Sequence, residues 1–209
     1  MIRVDYRRGS GEFIRPLQRM GLPVKKVTLP FGDFMFTGHG PHDALARIVI
    51  ERKRFHEIVS ALQDNRFGGF QLPGMLTEYP AAVIYLLVEG IWRADPHTGL
   101  VQIPRREKGK TRWVSAGFTQ RRFMYADLDG FLTTVEQFGN VRVVQTSNER
   151  SSQFWLYSRY RWWQKPWGKH TSLRPFFKRL HTRPRDPSKD DEPEALRLSR
   201  CTVQRKMVA

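Results

Sequence analysis

The segment Ile50-Glu51-Arg52-Lys53 closes an apolar run with residue types that could do chemistry. Residues two apart in a strand project from one face, so Glu51 and Lys53 point together and Arg52 points away. Asp33 follows a Pro30-Phe31-Gly32 turn at the start of a second strand candidate. If the two strands pair, Asp33 and Glu51 converge. Two convergent carboxylates with open positions suit Mg²⁺ or Mn²⁺, hard cations that keep several waters. Such a cation lowers the pKa of a bound water and neutralises phosphate charge. An adjacent lysine orients that water or stabilises a charged transition state. Phosphodiester hydrolysis has these requirements. The same Glu–Lys spacing also reads as an ion pair on a solvated strand end.

The elements that must position these residues alternate between strand and helix. Ile2–Asp5 and Val24–Leu29 read as strands, with a helix over Glu12–Met20 closed by Gly21. Asp33–Thr37 and Arg47–Lys53 follow as strands, separated by a polar loop over 38–43. Phe55, Ile58, Val59 and Leu62 form an amphipathic stripe. Ala82–Val88 is the clearest buried strand, and residues 93–112 read as a polar loop or hairpin with six Lys/Arg. A helix over Phe123–Phe138, a strand over Val141–Gln145 and a helix over Asn148–Trp163, N-capped by Asn148, complete the pattern. Strands separated by helices predict an α/β layer structure with a parallel or mixed sheet. After Trp163 five prolines interrupt a basic tail. The expected organisation is a domain over 1–163 and a poorly ordered tail over 164–209.

The 209 residues include 36 Lys and Arg against 20 Asp and Glu, a formal net charge of +16. A surface that basic attracts polyanions, nucleic acid first among them. Cys201 is the only cysteine, which excludes an intramolecular disulfide framework or a multi-cysteine zinc site and fits a reducing compartment. The N-terminus has no apolar core of a secretory signal, and the longest apolar run, Ala81–Val88, is too short to span a bilayer. The expectation is an intracellular protein, cytoplasmic or nucleoid-associated, with no membrane partner.

The longer context is more specific. Gly32-Asp33, then Ile50-Glu51-Arg52-Lys53-x-x-x-Glu57-x-x-Ser60, then Arg66-Phe67 and Gln71, resembles the nuclease domain of the XPF-type structure-specific DNA endonucleases. That family's signature is Gly-Asp, a gap, Glu-Arg-Lys-x-x-x-Asp, then a Ser, an Arg-Phe or Arg-Leu pair and a Gln. Val4-Asp5-x-Arg7, Leu29-Pro30-x-Gly32-Asp33, Val88-Glu89-Gly90 and Val144-x-Thr146-Ser147 with Glu149 extend the likeness over residues 2 to about 160. The resemblance implies a restriction-endonuclease-like core, a mixed central sheet flanked by helices, with the basic tail appended. It implies an Mg²⁺- or Mn²⁺-dependent endonuclease acting on branched DNA, with Asp33, Glu51 and Lys53 catalytic. Asp33, Glu51, Glu57 and the auxiliary Asp5 would surround the metal. Arg7, Arg66, Gln71 and Arg52 are the DNA-contacting candidates in the core, Arg52 with a structural role as the alternative. Two positions depart from the pattern: Arg8 replaces an acid, and Glu57 replaces the Asp that closes the central motif.

Further DNA contacts are expected from Arg105 and Arg106 in the basic loop and from Lys165, Lys169 and Arg174 in the tail. Arg150–Arg185 holds ten Lys/Arg, no acid, and four of the six tryptophans. Basic residues bind phosphates and interleaved aromatics stack on unpaired bases; the tryptophans of the last helix read equally as packing. His170-x-x-Leu173-x-x-Phe176-Phe177 resembles a sliding-clamp-binding box, with Leu173, Phe176 and Phe177 as anchors. No helix-hairpin-helix repeat follows residue 163, and a homodimer through the aromatic faces of the last two helices is expected. A catalytically inactive branched-DNA-binding partner and a junction resolvase of the same broad fold are the alternatives.

Overall fold

Ile48, Val49 and Ile50 are all fully buried, a pattern that requires a strand covered on both faces. In the computed structural model, which describes residues 1–7, 9–64, 70–116 and 123–171, they lie in β4 (Leu45–Arg54). The other strands are β1 (Ile2–Asp5), β2 (Val24–Val27), β3 (Phe34–His39), β5 (Val83–Glu89) and β9 (Val141–Thr146). The six form one mixed sheet in the order β2-β1-β3-β4-β5-β9. β3 pairs antiparallel with β1 and β4, whereas β1–β2, β4–β5 and β5–β9 are parallel.

Five α-helices are described: α1 (Ile14–Arg19), α2 (Phe55–Asp64), α3 (Leu72–Glu78), α4 (Tyr125–Gly139) and α5 (Glu149–Trp163). Leu17, Leu156, Tyr160 and Trp163 from α1 and α5 pack on one face of the sheet, against Ile2, Val4, Phe34, Phe36, Ile48, Ile50 and Leu87. Ile58, Val59, Met75, Leu128 and Val135 from α2, α3 and α4 pack on the other, against Val49, Ile84, Leu86 and Val88. Neighbours in β4 thus enter different cores, as the two-residue period of a strand requires. Asn148 caps α5, its side chain accepting the Ser151 N–H at 2.9 Å.

Residues 93–112 resolve as a hairpin rather than a loop. β6 (Arg93–Ala94), β7 (Val101–Glu107) and β8 (Lys110–Ser115) form a second, antiparallel sheet. Lys108 and Gly109 both take positive φ at its turn, the backbone that two-residue hairpins favour. α3 was not foreseen, because Pro73 and Gly74 sit inside its seven residues. Gly74 is needed there, since a Cβ would stand 2.3 Å from the Phe31 ring.

Residues Met1–Lys169 form one compact unit. A short 3-10 turn, Trp167–Lys169, follows α5, with the Trp167 N–H donating to Asp43 Oδ1 at 2.6 Å.

Candidate active site

Asp33 sits where β3 begins, and its backbone is held from both sides. Its N–H donates to the Ile50 carbonyl at 2.8 Å, and its carbonyl accepts the Asp5 N–H at 2.9 Å. Gly32 makes the turn, with φ of +82° and Val49 too near to admit a Cβ. The Asp33 side chain then reaches β4, where Oδ2 accepts the Arg52 backbone N–H at 2.7 Å. Glu51 and Lys53 share the opposing strand face, with Lys53 Nζ 2.8 Å from Glu51 Oε1.

These residues line one cleft of about 530 Å³, together with Arg7, Glu57 and Gln71. Its electrostatics are uncomfortable for the isolated protein. Burial, then the neighbouring Asp33 charge, pushes the Glu51 carboxyl up to about 7 despite the Lys53 ammonium. Burial also raises Asp33, partly offset by the Arg52 N–H and a hydrogen bond from the Ser10 side chain. The Lys53 ammonium compensates this carboxylate pair only in part, since both groups stay above their ordinary values. A divalent cation supplies the remaining counter-charge, and Mg²⁺ needs only one or two protein carboxylates beside its waters. The donor set fits such an ion through Asp33 and Glu51.

It does not fit the larger carboxylate set. Among the described residues, no group of three or more His, Cys, Asp or Glu side chains is placed to hold a metal. Asp5, expected as an auxiliary ligand, is only 1% exposed and is fully engaged elsewhere. Oδ1 accepts from Arg7 N and Nε, and Oδ2 accepts from Arg7 Nη2 and the Leu29 N–H, all within 2.9 Å. Burial pushes this carboxyl up, but those bonds more than offset it and hold it below its ordinary range. Glu57 lines the cleft, yet its Oε2 accepts the Arg54 N–H at 2.6 Å, the reach-back of a helix capping box.

Of the two roles expected for Arg52, its geometry fits the structural one, with a guanidinium only 5% exposed. Nε and Nη2 donate to the two Glu89 oxygens at 2.9 and 2.7 Å, and the group lies 4.7 Å from the Phe13 ring centre. Glu89 in turn accepts from the Ser152 hydroxyl at 2.7 Å. Glu89, Ser10 and Ser152 were not foreseen as parts of this framework; Glu89 alone carried a signal, as the acid closing the buried strand beside Gly90.

Of the remaining candidates, Arg7 and Gln71 line the cleft. Arg105 and Arg106 are exposed on β7, away from the sheet that carries the cleft, with Arg105 3.5 Å from Glu107. Lys165 and Lys169 are exposed beside the 41–43 turn. That turn precedes β4, and Glu51 lies towards the other end of that strand. Arg66, Leu173, Arg174, Phe176 and Phe177 fall outside the described residues. No described helix is long and apolar enough to cross a membrane.

Fold and cleft together define an α/β domain: a mixed sheet with an acidic pair and a lysine near the end of its central strand. The chain belongs to the ERCC4 domain family, whose model matches residues 4–158. Among solved structures it is similar to XPF from Aeropyrum pernix in complex with DNA, at 19% identity and a TM-score of 0.50, over 75% of this chain and 61% of that one. It is also similar to XPF from Aeropyrum pernix without DNA, at 16% identity and a TM-score of 0.52, over 86% of this chain and 71% of that one. Comparison with curated protein sequences gives no match.

Proposed function

We propose that this protein is a divalent-metal-dependent DNA endonuclease that cuts near branch points such as flaps and forks. The observation that carries the reading is the Asp33–Glu51 pair, with Lys53 beside it, in a cleft of a chain belonging to a nuclease-domain family. That one similar structure is an XPF–DNA complex supports DNA as the substrate. The net charge of +16 supports it too.

Asp33 and Glu51 would hold Mg²⁺ or Mn²⁺, which when bound lowers the pKa of a coordinated water and offsets phosphate charge. Asp33 is aimed by the Arg52 N–H, and Glu51 by its strand position, so neither needs to reorganise. The Lys53 ammonium stabilises the charge that builds on the phosphoryl oxygens. Water oxygen bonds to phosphorus, the P–O bond to the leaving strand breaks, and a proton reaches that leaving oxygen. Arg7 and Gln71 line the cleft where flanking phosphates would lie. Action in DNA repair, recombination or fork processing, and a homodimer that uses exposed aromatics such as Phe138 and Phe154, belong to this proposal.

The test is incision of labelled flap, splayed-arm and plain duplex DNA in Mg²⁺, Mn²⁺ or EDTA. Metal-dependent cutting that favours branched substrates supports the proposal. Binding of branched DNA without cutting in either metal makes the protein a non-catalytic DNA-binding subunit instead. Cutting confined to four-way junctions makes it a junction resolvase.

A further inference from the structure

The sheet face that carries Asp33 and Glu51 is only half covered. The helices on that side pack over β4, β5 and β9. At the other edge, Arg3, Lys25 and Thr37 point the same way as Met35, and Arg47 the same way as Val49, by the two-residue alternation of their strands. Arg3, Lys25, Thr37 and Arg47 are exposed.

The charges on this open face are arranged against the stability of the sheet. Arg3 and Lys25 are paired directly across β1 and β2. Like charges directly opposite in neighbouring strands repel and destabilise the pairing. Neither residue, nor Arg47, makes an ion pair with a described residue. Arg47 instead lies 6.0 Å from the centre of the Tyr79 ring. Cations clustered on adjacent strands with no ion pair to a described residue favour an anion from outside the chain.

The face is also concave. Arg3, Lys25, Met35, Arg47, Glu78 and Tyr79 help line a groove of about 570 Å³. Pro30 lines both this groove and the catalytic cleft, so the two are neighbours. Arg47 precedes Glu51 by four residues on β4, about 13 Å along the strand. That length matches about four phosphates at the ~3.4 Å spacing of one duplex strand, and fewer of an extended one.

Resting on the nuclease reading, we infer that this groove binds one unpaired DNA strand as it leaves the catalytic cleft, its phosphates against Arg3, Lys25 and Arg47. The groove lies between the open sheet face and Tyr79. Its contacts go to phosphate, so it reads no base sequence.

The test uses the full chain and a triple variant, Arg3→Gln, Lys25→Gln and Arg47→Gln, with a fluorescent oligothymidylate in EDTA. A second triple, Arg19→Gln, Arg150→Gln and Arg161→Gln, removes the same charge from exposed helix positions. The groove variant is expected to bind at least tenfold more weakly at low salt. Its slope of log affinity against log salt should shrink by about 2, three contacts at about 0.7 each for a single strand. On flap DNA its KM should rise with kcat nearly unchanged. Its melting temperature should stay level or rise, because the Arg3–Lys25 repulsion is gone.

An unchanged slope in the groove variant overturns the inference. So does an equal loss in the second triple, which would mean net charge alone, or a lower melting temperature, which would give the cations a structural role. A change of oligomeric mass in the groove variant, with oligothymidylate affinity intact, overturns it in favour of a protein partner. The outcomes separate the two readings. A groove-dependent strand affinity in a protein that cuts nothing keeps the groove and removes the nuclease. Normal cutting with an unaltered groove variant does the reverse.

Discussion

The Arg52 guanidinium meets the Glu89 carboxylate through hydrogen bonds of 2.9 and 2.7 Å, with both side chains at most 10% exposed. The same residue's backbone N–H holds Asp33 Oδ2 at 2.7 Å. One arginine therefore ties β4 to β5 on one face while its peptide aims a candidate metal ligand on the other. Removing one partner of such a buried pair costs roughly 3–5 kcal/mol, because the other charge is stranded. Glu89→Ala should lose about that much stability in urea unfolding. Arg52→Lys should lose more than half of it, since an ammonium cannot reproduce the two-pronged bond.

Glu51 gives a pH dependence with an unusual sign. Burial and then the Asp33 charge raise its folded pKa to about 7, above the ordinary value of 4.5. Between those values the folded state keeps a proton that the unfolded state has lost. Stability without metal should therefore be fullest below about pH 4.5 and fall, by up to about 3 kcal/mol, as pH rises towards 7. Glu51→Gln should flatten that slope and make the protein more stable than wild type at pH 8. Thermal melts in EDTA across this range check the sign; a wild-type melting temperature rising from pH 5 to 8 contradicts it.

Metal affinity should move the other way, because the ligands must be deprotonated. Mn²⁺ binding measured by calorimetry is expected to strengthen about tenfold from pH 6 to pH 7 and to level off above pH 8. Asp33→Asn should abolish it.

Asp5→Asn separates a structural carboxylate from a ligand. The change weakens four short bonds to Arg7 and Leu29, and a hydrogen bond to a charged group contributes about 1.5–3 kcal/mol. The variant should lose on the order of 2 kcal/mol while Mn²⁺ affinity stays within twofold of wild type. A tenfold loss of affinity in a folded variant would restore Asp5 to the metal site.

Arg105→Ala with Arg106→Ala on the exposed hairpin should weaken duplex binding. It should also lower the salt slope by about 2, at about 0.9 per phosphate contact. Melting temperature should not change, since neither guanidinium is buried. Fluorescence anisotropy at several salt concentrations provides the slope.

What the sequence made legible follows from locality. The Glu51–Lys53 face is set by the two-residue period within one strand, and the Asn148 cap by bonds within four residues. The convergence of Asp33 on Glu51 needed one antiparallel pairing, and the Gly32 turn marked its start. The bonding of Asp5 was not legible, because the sequence shows a carboxylate near the site but not the four donors that surround it. The partner of Arg52 was hidden because Glu89 lies 37 residues away and meets it only through the parallel register of β4 on β5. α3 was hidden because Gly74 serves a contact with Phe31 that no local propensity records.

The central claim is that Asp33 and Glu51 together hold the metal that cuts DNA. It is tested most directly by following incision of flap DNA as Mg²⁺ is titrated, for wild type and Glu51→Gln side by side, with DNA binding measured in EDTA. The account predicts cutting that saturates with Mg²⁺ in wild type and is lost in the variant, with equal DNA affinity in both. Cutting by Glu51→Gln at the wild-type rate, or by wild type in EDTA, would contradict it.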